Sequence, residues 1–529
     1  MKNIKIFLYF IHFLLLLNVL PAAANIKLPA IFGNGMVLQQ KAKAPIWGWA
    51  EPGEKIYIKG SWQWTGTSTR TNSDGNWLTK ITTPKAGGPY TLRITARNDI
   101  ILRDILIGEV WICSGQSNME VSVSSSANAK NEMTAANYPD IRFFTANQIV
   151  SDKPQTDCAG FWSKCNPATV ADFSAVAYYF GRQLRRELNV PIALIHASRG
   201  GTPAEAWTRK ETLQAEPDFA PILERFAKGV ANFPLAKQEH AQKLEEWKQA
   251  VDKALTAHTP IPSKPYFLQM DQTGPGHFQS PAGLYNGMIA PLIPYRIRGV
   301  IWYQGECNVW RAWQYRKLFP AMITNWRNDW GQGQFPFYYV QIAPFDYSVF
   351  DNGSKDPIAA ELREAQMMAL TVPNTGMAVT MDIAEPNNIH PKNKQEVGRR
   401  LAIWALAKTY ARKNIVYSGP IYKSMIIEQK TKDSKTVIRL FFDHVGGGLI
   451  AKSGKLTHFT ITGKDGKFVE ANAEIDNDTI IVSSEKVRSP VAVRYAWSNT
   501  AVPNLFNKEG LPASSFRTDD WPCITANRK

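Results

Sequence analysis

The sequence is poor in cysteine and, after its first two dozen residues, has no apolar run long enough to cross a membrane. Five cysteines in 529 residues include no C-x-x-C pair, so the spacing typical of a structural zinc site is missing and no metal is expected. Low-complexity tracts and internal repeats are also missing, which argues against long disordered segments. The 44% of hydrophobic residues is enough for packed cores.

The first two dozen residues are organised like a secretory signal. Lys2 and Lys5 precede an apolar run from Ile6 to Leu20, and small residues suited to signal peptidase follow it. The run is shorter than the ~20 residues of a membrane-spanning helix, although a permanent anchor is the alternative. We therefore expect residues 1–24 to be a signal peptide, with the mature protein periplasmic or extracellular and without stable membrane insertion.

The chain also lacks a concentrated basic patch, although its net charge is +16. The charges are scattered and no basic run is interleaved with aromatic residues, so we expect no nucleic-acid partner. An anionic sugar or a charged surface fits an exported basic protein better.

Two patterns distinguish the cysteines. Cys158 and Cys165 stand close together in a loop, and are candidates for a local disulfide in an oxidising compartment. Cys113 and Cys307 lie in apolar, strand-like contexts, which favours buried free thiols.

The residue pattern changes along the chain, whose length exceeds one ordinary domain of ~100–200 residues. Short alternating runs between glycine-containing turns predict an N-terminal β domain at 25–105. Apolar strands alternating with helices predict an α/β domain with a parallel sheet at 106–414. A Lys-, Glu- and Ala-rich helical insertion is expected at about 208–264, and a second β domain at 415–529.

The α/β region has clear individual elements. Its best-defined helix is predicted from about Phe173 to Leu188, because apolar residues recur there at three- and four-residue steps before a proline ends the pattern. The predicted strands are Glu109 to Cys113, Ile192 to Ala197, Ile297 to Tyr303, Phe337 to Ile342 and Met377 to Met381.

Four polar blocks stand at the ends of these strands, where open α/β sheets bind their ligands. Taken singly, each block also fits an ordinary turn with a serine cap, turn glycines or structural polar side chains. The blocks are Gly115-Gln116-Ser117-Asn118-Met119, Ser198-Arg199-Gly200-Gly201-Thr202, Trp302-Tyr303-Gln304-Gly305-Glu306-Cys307-Asn308 and Ile389-His390-Pro391.

The residue types in these blocks suit acyl transfer. Ser117 stands in a tight turn that exposes its hydroxyl, and His390, held by the proline after it, is placed to act as a base. A backbone N–H at Gly200 and the amide of Asn308 suit an oxyanion, and the carboxylate of Glu306 suits an imidazole that needs orienting.

Together the four blocks resemble those of SGNH hydrolases and, more narrowly, of sialate O-acetylesterases, from about Ile26 to the C-terminus. This resemblance implies an α/β fold with a flavodoxin-like parallel-sheet core and flanking β-sandwich-type domains. It also implies an exported serine esterase that removes acetyl groups from O-acetylated sialic acid. The first expectation for its substrate is the 9-O-acetyl ester, and the alternative is another acetylated glycan. No cofactor is expected for such hydrolysis.

The site residues implied by the resemblance are few. Ser117 is expected to be the nucleophile and His390 its base, through an acetyl-enzyme. The oxyanion hole is expected to combine the backbone N–H of Ser117 with Gly200 and Asn308, and Gly201 is a possible substitute for Gly200.

One position departs from the general SGNH pattern. Asn387 stands three residues before His390, where that pattern has aspartate, and an amide does not stabilise an imidazolium as a carboxylate does. Related carbohydrate acetylesterases are thought to use the glutamate of the third block, so Glu306 is the first candidate for the triad acid. Asp382 and Glu385 are the alternatives.

Two other functions compete with this hypothesis. An acetylesterase for xylan or another neutral glycan would use the same blocks, whereas a pocket arginine such as Arg199 or Arg363 would favour a sugar carboxylate. A catalytically inactive glycan-binding protein is the alternative of another class. The presence of Ser117, Asn308 and His390 together argues against it.

Overall fold

The structure, a computed structural model, describes residues 25–265, 274, 276–429 and 436–528. The predicted signal peptide, residues 1–24, lies outside these residues. Within the described part of the chain, we find no helix with the length and apolar character needed to cross a membrane.

The regular elements are numbered here in chain order. The strands are β1 Val37–Gln39, β2 Lys43–Trp49, β3 Lys55–Gly60, β4 Thr67–Arg70, β5 Asn76–Thr82, β6 Gly87–Thr95, β7 Asp99–Gly115, β8 Tyr138–Thr145, β9 Trp162–Cys165, β10 Ile192–Ser198, β11 Gly299–Tyr303, β12 Phe337–Val340, β13 Thr375–Ala378, β14 Ile421–Glu428, β15 Val437–Asp443, β16 Leu449–Ala451, β17 Phe459–Thr462, β18 Val469–Glu470, β19 Asn472–Asp476, β20 Thr479–Ser483, β21 Ala492–Tyr495, β22 Leu505–Asn507 and β23 Phe516–Arg517. The α-helices are α1 Ser117–Glu120, α2 Ala129–Ala135, α3 Pro167–Val170, α4 Ala175–Leu188, α5 Lys210–Ala215, α6 Ala220–Thr256, α7 Ala312–Trp330, α8 Ile358–Met368 and α9 Lys394–Trp404.

The centre of the molecule is a mainly parallel sheet with the order β13-β12-β11-β7-β10-β8-β9, in which β9 runs antiparallel to β8. Every residue of β10 and β11 is buried, since helices cover both faces of the sheet and apolar runs need no alternation there. The α/β parallel-sheet core expected from the sequence is confirmed. The five predicted strands correspond to β7, β10, β11, β12 and β13, with ends that differ by a few residues.

The helices form a layer on each face of this sheet. Side chains of α4 and α9 share one buried cluster, whereas those of α7 and α8 belong to the other. Helix α4 begins where Ser174 Oγ accepts a hydrogen bond from the Ala177 N–H at 3.2 Å. It ends at Asn189, whose left-handed φ of 52° closes the last turn. The predicted helix at 173–188 is therefore present with a slightly later start.

Strand β7 links the core to the N-terminal β region. Its first half pairs with β1 and β6, and its second half lies between β10 and β11 in the central sheet. The domain boundary predicted at residue 105 thus falls inside one continuous strand. Alternation of buried and exposed residues changes to full burial at Ile105, where the strand enters the interior.

The remaining predicted regions contain the expected types of element. Helices α5 and α6 lie within 208–264, and the described part of 415–529 folds into antiparallel strands from β14 to β23. Cys158 and Cys165 are both free and buried, in different clusters, so the structure does not form the disulfide considered from the sequence.

Candidate active site

The four polar blocks meet at the carboxyl edge of the central sheet. Strand β7 has β10 on one side and β11 on the other. After β7 the chain first forms β8, β9 and β10 on one side of it, and later β11, β12 and β13 on the other side. This is the topological switch point at which open α/β sheets form their ligand crevice. Ser117 follows β7 and opens α1, Gly200 follows β10, Asn308 follows β11, and His390 precedes α9.

A glycine presents the serine at this point. Gly115 has a φ of +137°, and a Cβ there would lie 2.2 Å from the carbonyl oxygen of Tyr303. Only glycine permits that approach. The next residue, Gln116, donates its backbone N–H to the same oxygen at 2.9 Å, which joins the ends of β7 and β11 directly below Ser117.

Ser117 and His390 are in hydrogen-bond contact, with 2.8 Å between Oγ and Nε2. Burial of the half-buried ring lowers the pKa of His390, the positive charge of Lys394 lowers it further, and the charge of Glu120 opposes both. The imidazole is therefore neutral at neutral pH and able to accept the serine proton.

The sequence assigned the orientation of His390 first to Glu306, but the structure inserts another residue between them. Glu306 Oε1 accepts from the side-chain amide of Asn118 at 2.5 Å, and the same amide nitrogen donates to the Ile389 carbonyl at 2.9 Å. Glu306 thus acts on the backbone beside His390, through Asn118. Within the described part of the chain, no hydrogen bond joins Glu306 to the imidazole.

The two alternative acids are also directed elsewhere. Asp382 is bound by both terminal nitrogens of Arg400, at 2.6 and 2.8 Å. Glu385 accepts from the Lys392 backbone N–H at 2.8 Å and from the Asn388 amide at 3.1 Å, which shapes the histidine loop. Among the described residues, neither carboxylate hydrogen-bonds to the His390 ring.

Gly200 lies beside the serine, and its N–H is already engaged. A Cβ on Gly200 would lie 3.3 Å from the Cβ of Ser117. The Gly200 N–H donates to Glu120 Oε2 at 2.7 Å, and Gln148 donates to the other oxygen of Glu120 at 2.6 Å. A carboxylate oxygen therefore stands at the donor expected for the oxyanion. Sequence reasoning missed Glu120, although its position three residues after Ser117 on a helical turn was a usable signal.

Asn308 is held on its far side by a network of its own. Its side-chain oxygen accepts from the Ala204 N–H at 2.9 Å and from Gln304 at 2.6 Å. Its amide nitrogen donates to Glu205 at 3.0 Å, so one of its two N–H groups is left for another acceptor. The amide orientation is fixed before any substrate binds.

Glu205 is a second residue that the sequence did not single out. Arg311 donates to it at 2.6 Å. Burial acts to raise the pKa of Glu205, but the charge of Arg311 and the amide of Asn308 outweigh it, and the pKa falls below its ordinary value. The carboxylate behind Asn308 is therefore ionised.

Lys394 completes the arrangement on the opposite side. Its ammonium group is fully buried and donates to the Asn118 side-chain oxygen at 2.5 Å. Burial lowers the pKa of Lys394 to about 7, although the negative charges of Glu306 and Glu385 oppose the shift. A lysine at the start of an amphipathic helix is usually solvated, so the sequence contained no clear signal of this burial.

Comparisons with known proteins identify relatives of this chain. Residues 276–407 match the family model for SASA, described as carbohydrate esterase, sialic acid-specific acetylesterase. The sialate O-acetylesterase of Mus musculus is 29% identical over 520 residues, which cover 90% of each chain. That of Homo sapiens is 30% identical over 438 residues, which cover 76% of this chain and 74% of the relative.

A solved structure adds evidence across nearly the whole length. A carbohydrate acetylesterase from Xanthomonas citri superimposes with a TM-score of 0.78 at 33% sequence identity, covering 94% of this chain and 100% of that chain. The identity with the human relative over three quarters of both chains and this structural agreement lead to one conclusion. The chain belongs to the sialate O-acetylesterase family, a family of ester hydrolases.

Proposed function

We propose that the protein is a carbohydrate O-acetylesterase that hydrolyses acetyl esters of sialic acid, and that its preferred substrate is the 9-O-acetyl ester. The observation that carries the proposal is the 2.8 Å contact between Ser117 Oγ and His390 Nε2 at the switch point of the sheet. A neutral imidazole at hydrogen-bond distance from a half-buried hydroxyl is the arrangement that activates a serine nucleophile.

The reaction follows from the positions of these groups. His390 accepts the proton of Ser117 as the hydroxyl attacks the acetyl carbonyl, and then donates that proton to the departing sugar oxygen. The backbone N–H of Ser117, the N–H of Gly200 and the remaining amide N–H of Asn308 stabilise the oxyanion. Water then attacks the acetyl-enzyme with His390 again as base, which releases acetate and restores the serine.

Glu120 has two consequences in this mechanism. The carbonyl oxygen of the substrate must take the Gly200 N–H from Glu120, so substrate binding displaces that carboxylate. The charge of Glu120 also favours the protonated form of His390, which develops during attack. We therefore assign the electrostatic support of the imidazolium to Glu120 rather than to a hydrogen-bonded third carboxylate.

The experiment that tests the function is acetate release from O-acetylated sialic acid and, in parallel, from acetylated xylan. We expect faster release from the sialate, and a loss on the order of a million-fold in the Ser117→Ala variant. Preference for xylan would keep the mechanism and change the substrate. No release from either would instead support a glycan-binding protein without catalysis.

We also propose that residues 1–24 direct export and are removed, and that the mature chain comprises β, α/β and β units at 25–105, 106–414 and 415–529, with an insertion at about 208–264 and with β7 shared by the first two units. Mass spectrometry of the protein recovered outside the cytoplasm tests the first statement. An intact N-terminus there would contradict it.

A further inference from the structure

A polar cavity lies next to the loop that follows β10, in addition to the crevice that contains Ser117. Two arginines, Arg225 from α6 and Arg311 from the segment before α7, face it together with one carboxylate, Glu205. Apolar surface from α6 and a neighbouring loop forms the rest of the wall. Its lining residues are Pro203, Glu205, Ile222, Arg225, Phe226, Gln279, Pro281 and Arg311.

The charges in this cavity are not balanced. Glu205 is bound closely by Arg311, at 2.6 Å, whereas the nearest nitrogen of Arg225 is 3.9 Å from it. One carboxylate thus faces two guanidinium groups. Within the described part of the chain, Arg225 Nη1 and Arg311 Nε are buried without a hydrogen-bond partner, although the Arg225 side chain as a whole is 38% exposed and Arg311 only 8%.

Burial of positive charge next to another positive charge has a measurable consequence. It lowers the pKa of Arg225 to about 10, with burial as the larger cause and the charge of Arg311 as the second. Guanidinium groups present several N–H donors in a planar fork that matches a carboxylate. A bound carboxylate would satisfy the free N–H groups and balance the charge.

The cavity is close enough to Ser117 to share one substrate with it. Pro203, in the cavity wall, is only three positions after Gly200, which lies beside the serine, and three such steps span at most about 11 Å. Gln279, another wall residue, donates to the carbonyl of Gly201 at 2.7 Å. This separation suits a single sugar residue bound between the two places.

We propose that this cavity binds the carboxylate of an acidic sugar whose acetyl ester lies at Ser117, and that Arg225 is its principal ligand. The proposal rests on the proposed function and adds the feature that selects a sugar acid over a neutral glycan. In a sialic acid the carboxylate is attached at C2 and the chain that ends at C9 is attached at C6, so the two groups leave the ring on either side of the ring oxygen. The cavity volume of about 50 Å³ admits a carboxylate group, so the sugar ring itself would lie outside the cavity.

The arginines considered from the sequence are used differently. Arg363 is fully buried and donates to the carbonyl of Ser498 in the C-terminal region. Arg199 lies over the ring of Phe278 and donates to Gln148, near the serine but outside this cavity wall.

The test compares wild-type protein with Arg225→Gln on three substrates: 9-O-acetylated sialic acid, its C1 amide, which lacks the charge, and 4-nitrophenyl acetate. We expect Arg225→Gln to lower kcat/KM for the acid on the order of 10- to 100-fold and to leave the other two within about twofold. Arg225→Lys should recover part of the loss. Lys228→Gln, which removes an exposed charge from the same helix, is the matched control and should behave like wild type.

The outcomes separate the two proposals. An equal loss on all three substrates, or no loss on any, would overturn the carboxylate site while leaving the esterase intact. Failure of the wild type on every substrate would reject the proposed function instead. Calorimetric titration with sialic acid that carries no acetyl group then tests the cavity independently of turnover, since weaker binding by Arg225→Gln is expected and equal binding would contradict the site.

Discussion

Two glutamates lie buried at the active-site edge of the sheet, and their surroundings shift their pKa values in opposite directions. Glu205 is 3% exposed and Glu306 is 4% exposed, and each accepts a hydrogen bond from an asparagine amide. Glu205 also accepts a hydrogen bond from the Arg311 guanidinium, and the pKa of Glu205 is lowered. Burial raises the pKa of Glu306, although Asn118 and nearby backbone N–H groups oppose it, and its second oxygen is without a partner among the described residues.

The difference shows that burial alone does not decide what a carboxyl group does at this edge. A guanidinium within hydrogen-bond reach keeps Glu205 ionised, because close opposite charge offsets the cost of leaving water. The buried cation near Glu306, Lys394, reaches it only through Asn118 and is itself readily deprotonated. Glu205 is therefore a charged support for Asn308, and Glu306 supports the histidine loop mainly by its shape and hydrogen bond.

Replacing Glu205 by glutamine should produce the largest effect, on stability. The change leaves Arg311 buried without its counter-ion, and breaking a buried pair in this way costs about 3–5 kcal/mol of unfolding free energy. Urea unfolding at neutral pH measures it, with Glu211→Gln, an exposed glutamate, as the control. Equal stability of the two variants would contradict the ionised state of Glu205.

The pH dependence of this effect has a definite sign. The folded pKa of Glu205 lies below its ordinary value of 4.5, so the stabilisation is fully present above that value and is lost as the pH falls through the folded pKa. The difference between wild type and Glu205→Gln should therefore shrink in acid.

Removing the amide that Glu205 supports should mainly affect catalysis. Asn308→Ala deletes one oxyanion donor, and such a loss lowers kcat by about 100- to 1,000-fold. Steady-state kinetics with an activated acetyl ester measures it, and thermal unfolding of the same variant checks that the protein is folded. A higher KM with unchanged kcat would show that Asn308 stabilises the bound substrate and the transition state equally.

Glu306→Gln should have a much smaller effect, and this contrast with Glu205 is the sharpest test of the comparison. Burial raises the pKa of Glu306, so its ionised form is not favoured there, and glutamine has nearly the same shape and still offers an acceptor for Asn118. We expect kcat to stay within about tenfold of wild type, near the value of one ordinary hydrogen bond, and stability to be unchanged or higher. A loss above about 100-fold with unchanged stability would restore Glu306 as the triad acid.

The sequence predicted the parts of this site that depend on local pattern. Continuous apolar runs identify β10 and β11, and the glycines and polar residues after them identify the loops, because parallel strands of one sheet end at a common edge. Ser117, Gly200, Asn308 and His390 stand in these blocks, and their expected roles came from the resemblance of the four blocks together to sialate O-acetylesterases.

The supporting charges were not predictable in the same way. Glu120 meets Gly200 across 80 residues, Glu205 meets Asn308 across 103, and Lys394 meets Asn118 across 276. Such pairings depend on tertiary packing, and a single sequence gives no signal for which buried charge faces which amide. Glu306 illustrates the consequence: its strand-end position was predictable, but the insertion of Asn118 between it and His390 was not.

The smallest expected effect concerns the charge on the Glu306 side of the site. Lys394→Met removes a positive charge that lowers the pKa of His390, so that pKa should rise toward its ordinary value of 6.5. Turnover requires the neutral imidazole, and the acid limb of kcat/KM should therefore move to higher pH by up to about one unit. Lys392→Met, which alters an exposed lysine two residues away, is the matched control and should leave the limb in place. If the limb stayed fixed in Lys394→Met, or moved toward acid, Lys394 would not share the electrostatics of His390, and the opposite pKa shifts of the two glutamates would have no counterpart in catalysis.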